Sequence, residues 1–176
     1  EHKSPRAKAS EVEHAIKHHI DVNLEEDPEY YKSLSAKLEA LIEKHQEHWD
    51  ELVQLLLNFR DDIETDHRKQ AEDLGLNDIE YAFHNILASE ITRITGDESI
   101  DEVTHDEVIA VTKKLVTVLH EATGIVDFFK RASQVKTVRK EIKRTLLDTK
   151  NEVLHDPGLR NAVMDRFMEL AQVKFK

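Results

Sequence analysis

Residues 10–43, SEVEHAIKHHIDVNLEEDPEYYKSLSAKLEALIE, decide the fold class of this chain. Ser10 and Glu13 have capping-box spacing, in which each side chain satisfies a free amide of the first helical turn. A helix is expected from there to about Ile20, with Val12, Ile16 and Ile20 on one stripe. Asp27-Pro28 reads as a second start: aspartate caps, and proline sits where its missing N–H costs nothing. Glu25 and Glu26 add favourable negative charge at that helix end.

Working outward, the helical pattern continues. From Tyr31 the apolar positions Leu34, Leu38 and Leu41, then Leu52, Leu55 and Phe59, follow a three–four spacing, with His45 and His48 in the middle of the register. No Gly or Pro occurs from Glu29 to Leu74. Either one helix of forty-odd residues or two helices fit this stretch, with a break near Gln46–Trp49 favoured and Gly75 as the stop. Asn77 with Glu80, and Thr104 with Glu107, repeat the capping device, and Gly96 and Gly124 end those two helices. A sixth helix is expected from Asp127 to Leu147, with Phe128, Ala132, Val135, Ile142 and Leu146 on one face. Asp156-Pro157 opens a seventh, carrying Leu159, Val163, Met164, Phe167 and Leu170. No segment alternates at period two. The expected architecture is all-α, an irregular bundle of about seven helices without a sheet.

Composition supports few, long helices: 176 residues contain only 4 Gly and 3 Pro. Residues 1–9, EHKSPRAKAS up to Ala9, read as a linker from upstream domains, and residues 10–176 as a single helical domain. With no Cys there is no disulfide framework or thiolate metal site, which is compatible with a cytoplasmic setting. The longest apolar stretch, Leu52 to Phe59, is interrupted and too short to span a bilayer, so no membrane partner is expected. Net charge is −11 and uneven. Residues 1–112 hold 11 Lys/Arg against 28 Asp/Glu, a net of −17, whereas residues 113–176 hold 14 against 8, a net of +6. The whole chain repels nucleic acid at long range while its C-terminal part is able to touch phosphate.

The predicted sixth helix carries that positive charge. Lys130, Arg131, Lys136, Lys140, Lys143 and Arg144 are candidate DNA contacts, and Lys136, Lys140, Lys143 and Arg144 fall on one stripe beside the apolar face. The competing reading is a solvated face that neutralises an acidic domain. Arg139 lies nearer the apolar side, where an ion-pair role fits. No interleaved aromatics or Gly-rich loop accompany the stripe, so base reading is not indicated.

Eleven histidines are many for this length. Glu-x-x-His occurs at Glu11/His14, Glu64/His67, Glu102/His105 and Glu152/His155, the element of a di-iron carboxylate site. Against this, His105 and His155 fall near predicted helix ends, and the abundance of Glu and His produces chance matches, so no metal site is expected. His14, Lys17 and His18, with Tyr30 after the Asp-Pro start, are candidates for a protein interface. Trp49 is expected to pack in a core. No phosphate-binding loop, dinucleotide fingerprint or Ser-His-Asp order is present, and catalysis by these residues alone is not expected.

The wording VEHAIKHHI, followed by NLEEDPEYYKSLSAKLE at residues 23–39, resembles the C-terminal region of the restriction (R) subunit of type I restriction–modification enzymes. The resemblance implies a large chain with a nuclease domain and two motor lobes upstream, acting as an ATP-dependent, type I site-specific deoxyribonuclease that translocates DNA. It implies ATP and Mg in those upstream domains and no cofactor in this region. Implied partners are the methylation and specificity subunits, double-stranded DNA and the motor domains of the same chain. This region would then serve assembly with the methyltransferase core and guidance of DNA. Two other classes fit the residues: a helical adaptor that binds a partner helix through an exposed apolar stripe, and the di-iron helical protein.

Overall fold

The computed structural model describes residues 3–96 and 101–176. They hold seven α-helices and no strand, as the missing period-two pattern requires. Contacts divide the chain into two compact units, Glu1–Asp73 and Leu74–Lys176, where the sequence reading takes residues 10–176 as one domain.

The first unit contains α1 (Pro5–Asn23), α2 (Pro28–Lys44) and α3 (Trp49–Asp73). α1 starts a turn and a half before the expected cap. Ser4 is the N-cap, with its Oγ accepting from the Ala7 amide at 3.3 Å, and Pro5 takes the first helical position. Ser10 and Glu13 therefore lie within the helix, and Glu13 accepts from Lys17 one turn on, at 2.7 Å. The stretch read as linker is helical from Pro5, and residues 1–2 lie outside the described residues. Extending the helix backward brings Ala9 onto the buried face with Ile16 and Ile20, while Val12 is half-buried.

α2 begins as Asp27-Pro28 predicts, with the Asp27 carboxylate accepting from the Tyr30 amide at 3.2 Å. The favoured break is present: α2 stops at Lys44, and His45 and His48 fall around the turn before α3. Leu34 and Leu38 on α2, and Leu52, Val53, Leu56 and Ile63 on α3, are buried.

The second unit contains α4 (Asp78–Thr95), α5 (Glu102–Thr123), α6 (Ala132–Leu147) and α7 (Pro157–Lys174). α4 carries the full Asn77–Glu80 capping box and ends on Gly96 in the left-handed conformation. α5 starts earlier than expected. Asp101 is its cap and accepts from the Thr104 amide at 2.9 Å, because its short acidic side chain serves a helix N-terminus at least as well as threonine. Glu107 instead accepts the Lys150 backbone amide at 2.8 Å. The predicted sixth helix is broken at its front. Asp127 adopts φ 57°, Phe128–Lys130 form one 3-10 turn, and α6 proper starts at Ala132. Phe128 still reaches the core, but through this turn, and Ala132 is exposed. Val138, not in the expected apolar set, is buried with Ile142 and Leu146.

The core of this unit joins α4, α5, α6 and α7. Phe83 of α4 meets Phe167 of α7 edge-on at 4.9 Å, among Leu87, Leu115, Leu119 and Ile142. Leu159, Val163, Met164, Phe167 and Leu170 of α7 are all buried, as expected. Glu90 on α4 is buried too, where Arg93 and Arg166 supply donors at 2.7 and 3.1 Å. A carboxylate so enclosed requires such partners.

Candidate functional site

α6 owes its surface to its register. Only Val138, Ile142, Thr145 and Leu146 are buried, and they lie on one side at about 100° per residue. Lys136, Lys140 and Arg144 are exposed on the opposite side, with Lys143 half-exposed at its edge. These four cations fill an arc of about 100° on that helix. A groove of about 470 Å³ runs between α6 and α7, lined by Val135, Lys136, Arg139, Lys140, Lys143 and Met164. The aliphatic stems of the lysines extend its apolar floor and leave their ammonium groups at the rim. Arg139 donates to Asp165 of α7 at 2.6 Å, the structural ion pair its position suggests.

The other two expected DNA residues are not on α6. Lys130 pairs with Asp127 at 3.0 Å, and Arg131 Nε donates to the Val126 carbonyl at 2.9 Å. Both brace the turn that precedes α6, and both remain exposed. Sequence reading missed Lys114 of α5, which shares a furrow of about 480 Å³ with Lys140 and Arg144. A helical wheel of α6 carries no sign of a lysine contributed by a neighbouring helix.

On α1, His14, Lys17 and His18 are all exposed, one helical turn or less apart. The hydrogen bond to Glu13 raises the Lys17 pKa above that of a free lysine. Tyr30, grouped with these residues from the sequence, is buried, and its hydroxyl donates to the Ile63 carbonyl at 2.7 Å. It ties α2 to α3 and is no surface contact. The physical reason is the helix start itself: with Asp27 as cap, both Tyr30 and Tyr31 turn inward, edge to face at 5.3 Å.

Trp49 is half-buried at the first residue of α3, rather than in a core, with the Arg6 guanidinium 5.5 Å above its ring. The Glu-x-x-His pairs do not converge. His67 contacts Asp27 at 2.9 Å, His155 Nε2 lies 2.9 Å from the Thr149 carbonyl, and Glu11 pairs with Lys3 at 2.7 Å. The Glu102 side chain lies outside the described residues. Among the described residues, no group of three or more His, Asp or Glu side chains is placed to hold a metal ion. Among the described residues, the large exposed apolar side chains are Val22, Ile94, Ile125, Val126 and Leu147, and each helix carries at most one of them, where a partner-helix stripe needs several on one helix. Among the described residues, no helix is long and apolar enough to cross a membrane.

Neither a curated protein nor a solved structure matches the chain. A family model does, over residues 1–173, and its description is type I restriction enzyme HindI endonuclease subunit-like, C-terminal. The match covers nearly the whole chain and includes the NLEEDPEYYKSLSAKLE wording. The chain therefore belongs to the family of C-terminal domains of type I restriction enzyme HindI endonuclease subunit-like proteins.

Proposed function

We propose that this chain is a non-catalytic domain of a type I restriction motor subunit, serving both assembly with the methyltransferase core and guidance of duplex DNA. Nuclease and ATP-driven translocation, with ATP and Mg, belong to upstream domains of the full-length protein. The partners are the methylation and specificity subunits, double-stranded DNA and the motor lobes of the same chain, in the cytoplasm. The observation that carries the DNA half is the cationic arc of Lys136, Lys140, Lys143 and Arg144 on the solvent side of α6, in a chain of net charge −11. Concentrating cations on one helix of an acidic protein favours a local phosphate contact over general attraction. The assembly half is supported by the exposed His14, Lys17 and His18 of α1. These side chains form an exposed His-rich face on α1, with Lys17 held by Glu13, and that face is open to a partner subunit.

The test is co-elution of the full-length subunit with a methylation–specificity core, with and without duplex DNA, at two salt concentrations. Replacing Lys136, Lys140, Lys143 and Arg144 by Glu is expected to weaken DNA association and flatten its salt dependence, leaving DNA-free co-elution intact. Replacing His14, Lys17 and His18 by Glu is expected to do the reverse. DNA binding by the intact enzyme that survives the α6 replacement refutes the DNA path.

A further inference from the structure

α6 stands as a ridge between two concavities. On one flank lies the groove shared with Met164 of α7, and on the other the furrow shared with Lys114 of α5. Lys140 borders both. The exposed side between them carries Ser133, Lys136, Thr137, Lys140, Arg144 and Leu147. A helix with its side chains is about 10–12 Å across, and the major groove of B-form DNA is about 12 Å wide. The 16 residues of α6 run about 24 Å, enough to lie along such a groove. A duplex seated in this way brings the phosphates of its two strands onto the two flanks.

The charges match this seating unequally. The α7 flank presents Lys136, Lys140 and Lys143, with Arg139 already bound to Asp165. The furrow on the α5 flank is lined by Lys140, which it shares with the α7 groove, and by Arg144, Glu141 and Asp148, with Arg144 Nε 3.8 Å from Asp148, so the α6 charges there offset one another. Lys114 is the group that makes this furrow positive. It comes from α5, a helix whose own sequence has no basic stripe. Aromatic side chains next to α6 are withdrawn: Phe128 is buried and Phe129 half-buried. Neither offers the stacking platform by which single strands are held.

We infer that α6 enters the major groove of duplex DNA as a ridge, with Lys114 as the phosphate contact on its α5 flank; this rests on the DNA path proposed above. The contact is made to the backbone and is indifferent to sequence.

The experiment is amine footprinting of the full-length subunit with an acylating reagent, read lysine by lysine by mass spectrometry, with duplex, with a single strand of equal length, and without DNA. Lys113 is exposed, adjacent to Lys114 and absent from the furrow lining, so it is the internal control. Duplex is expected to slow acylation of Lys114, Lys136, Lys140 and Lys143 several-fold, to leave Lys113 unchanged, and to protect more than the single strand. In parallel, Lys114→Gln, with an unchanged unfolding midpoint, is expected to lower the slope of log affinity against log salt by about one. Protection of the α6 lysines with Lys114 as reactive as Lys113, or an unchanged slope, overturns the ridge-in-groove seating and leaves the DNA path standing. Equal protection by the single strand also overturns it. No protection of any α6 lysine removes the DNA path itself.

Discussion

Asp27 performs two tasks with one buried carboxylate, and removing it is the sharpest test of the first unit. Only 2% of the residue is exposed. One oxygen accepts from the Tyr30 amide at 3.2 Å as the N-cap of α2, and the other lies 2.9 Å from His67 Nε2 on α3. A carboxylate only accepts, so the imidazole donates its Nε2–H. Losing an aspartate cap costs about 1 kcal/mol. Losing a hydrogen bond to a charged group costs about 2 kcal/mol. Asp27→Ala is therefore expected to destabilise the unit by about 3 kcal/mol. For a domain of this size each kcal/mol lowers the midpoint by about 4–8 °C, so the shift is large. Asp27→Asn keeps the cap, since Asn and Asp rank alike there, and loses only part of the histidine contact, about 1 kcal/mol. The single tryptophan, Trp49, lies on α3, so its fluorescence during urea unfolding follows this unit. A double-mutant cycle of Asp27→Ala with His67→Ala isolates the shared term, expected at about 1–2 kcal/mol. A coupling below about 0.3 kcal/mol, or a loss on Asp27→Ala below about 1 kcal/mol, refutes the two-task assignment.

Two further outcomes follow from the same unit. Ser4→Ala is expected to cost about 1 kcal/mol through the lost α1 cap, whereas Ser10→Ala, inside the helix and exposed, is expected to be neutral or slightly stabilising. Helix content and urea midpoints of the two variants decide between the observed start and the one suggested by Ser10–Glu13 spacing. Burial, reinforced by Asp27, Glu64 and Glu26, pushes the Tyr31 hydroxyl above the ordinary phenol range. A raised folded-state value means the folded protein holds its proton longer. The Tyr31 contribution is thus full below about pH 10, the unfolded phenol value, and is lost as pH rises through the folded value. Stability measured from pH 8 to 11 should fall above about pH 10, and Tyr31→Phe should flatten that fall. A decline of equal steepness in the variant rules out Tyr31 as its source.

The helices and most of their ends were legible in the sequence because they depend on neighbours a few residues apart. Asp27-Pro28, Asn77 with Glu80, Gly96 and Asp156-Pro157 each act within one turn, and each acts as read. The errors arose where two local solutions competed. Ser4 capped α1 in place of Ser10, and Asp101 capped α5 in place of Thr104. Phe128 kept its apolar role but reached the core through a 3-10 turn, since Asp127 took the left-handed conformation. Spacing alone does not distinguish an apolar residue carried on a helix from one carried on the turn before it.

The sequence by itself determined the all-helical class, the seven segments and the basic stripe of α6, because capping chemistry and 3.6-residue periodicity are local. Tertiary structure decided which side chains meet across helices. It buried Tyr30 against the Ile63 carbonyl, set His67 on Asp27, brought Arg166 of α7 to Glu90 of α4, and placed Lys114 in one furrow with Arg144. It also divided the chain into two compact units. Such contacts join residues 30 to 76 positions apart, as in Lys114 with Arg144 or Glu90 with Arg166. Over that distance helix packing selects the partners, and packing is set by the shapes of whole faces.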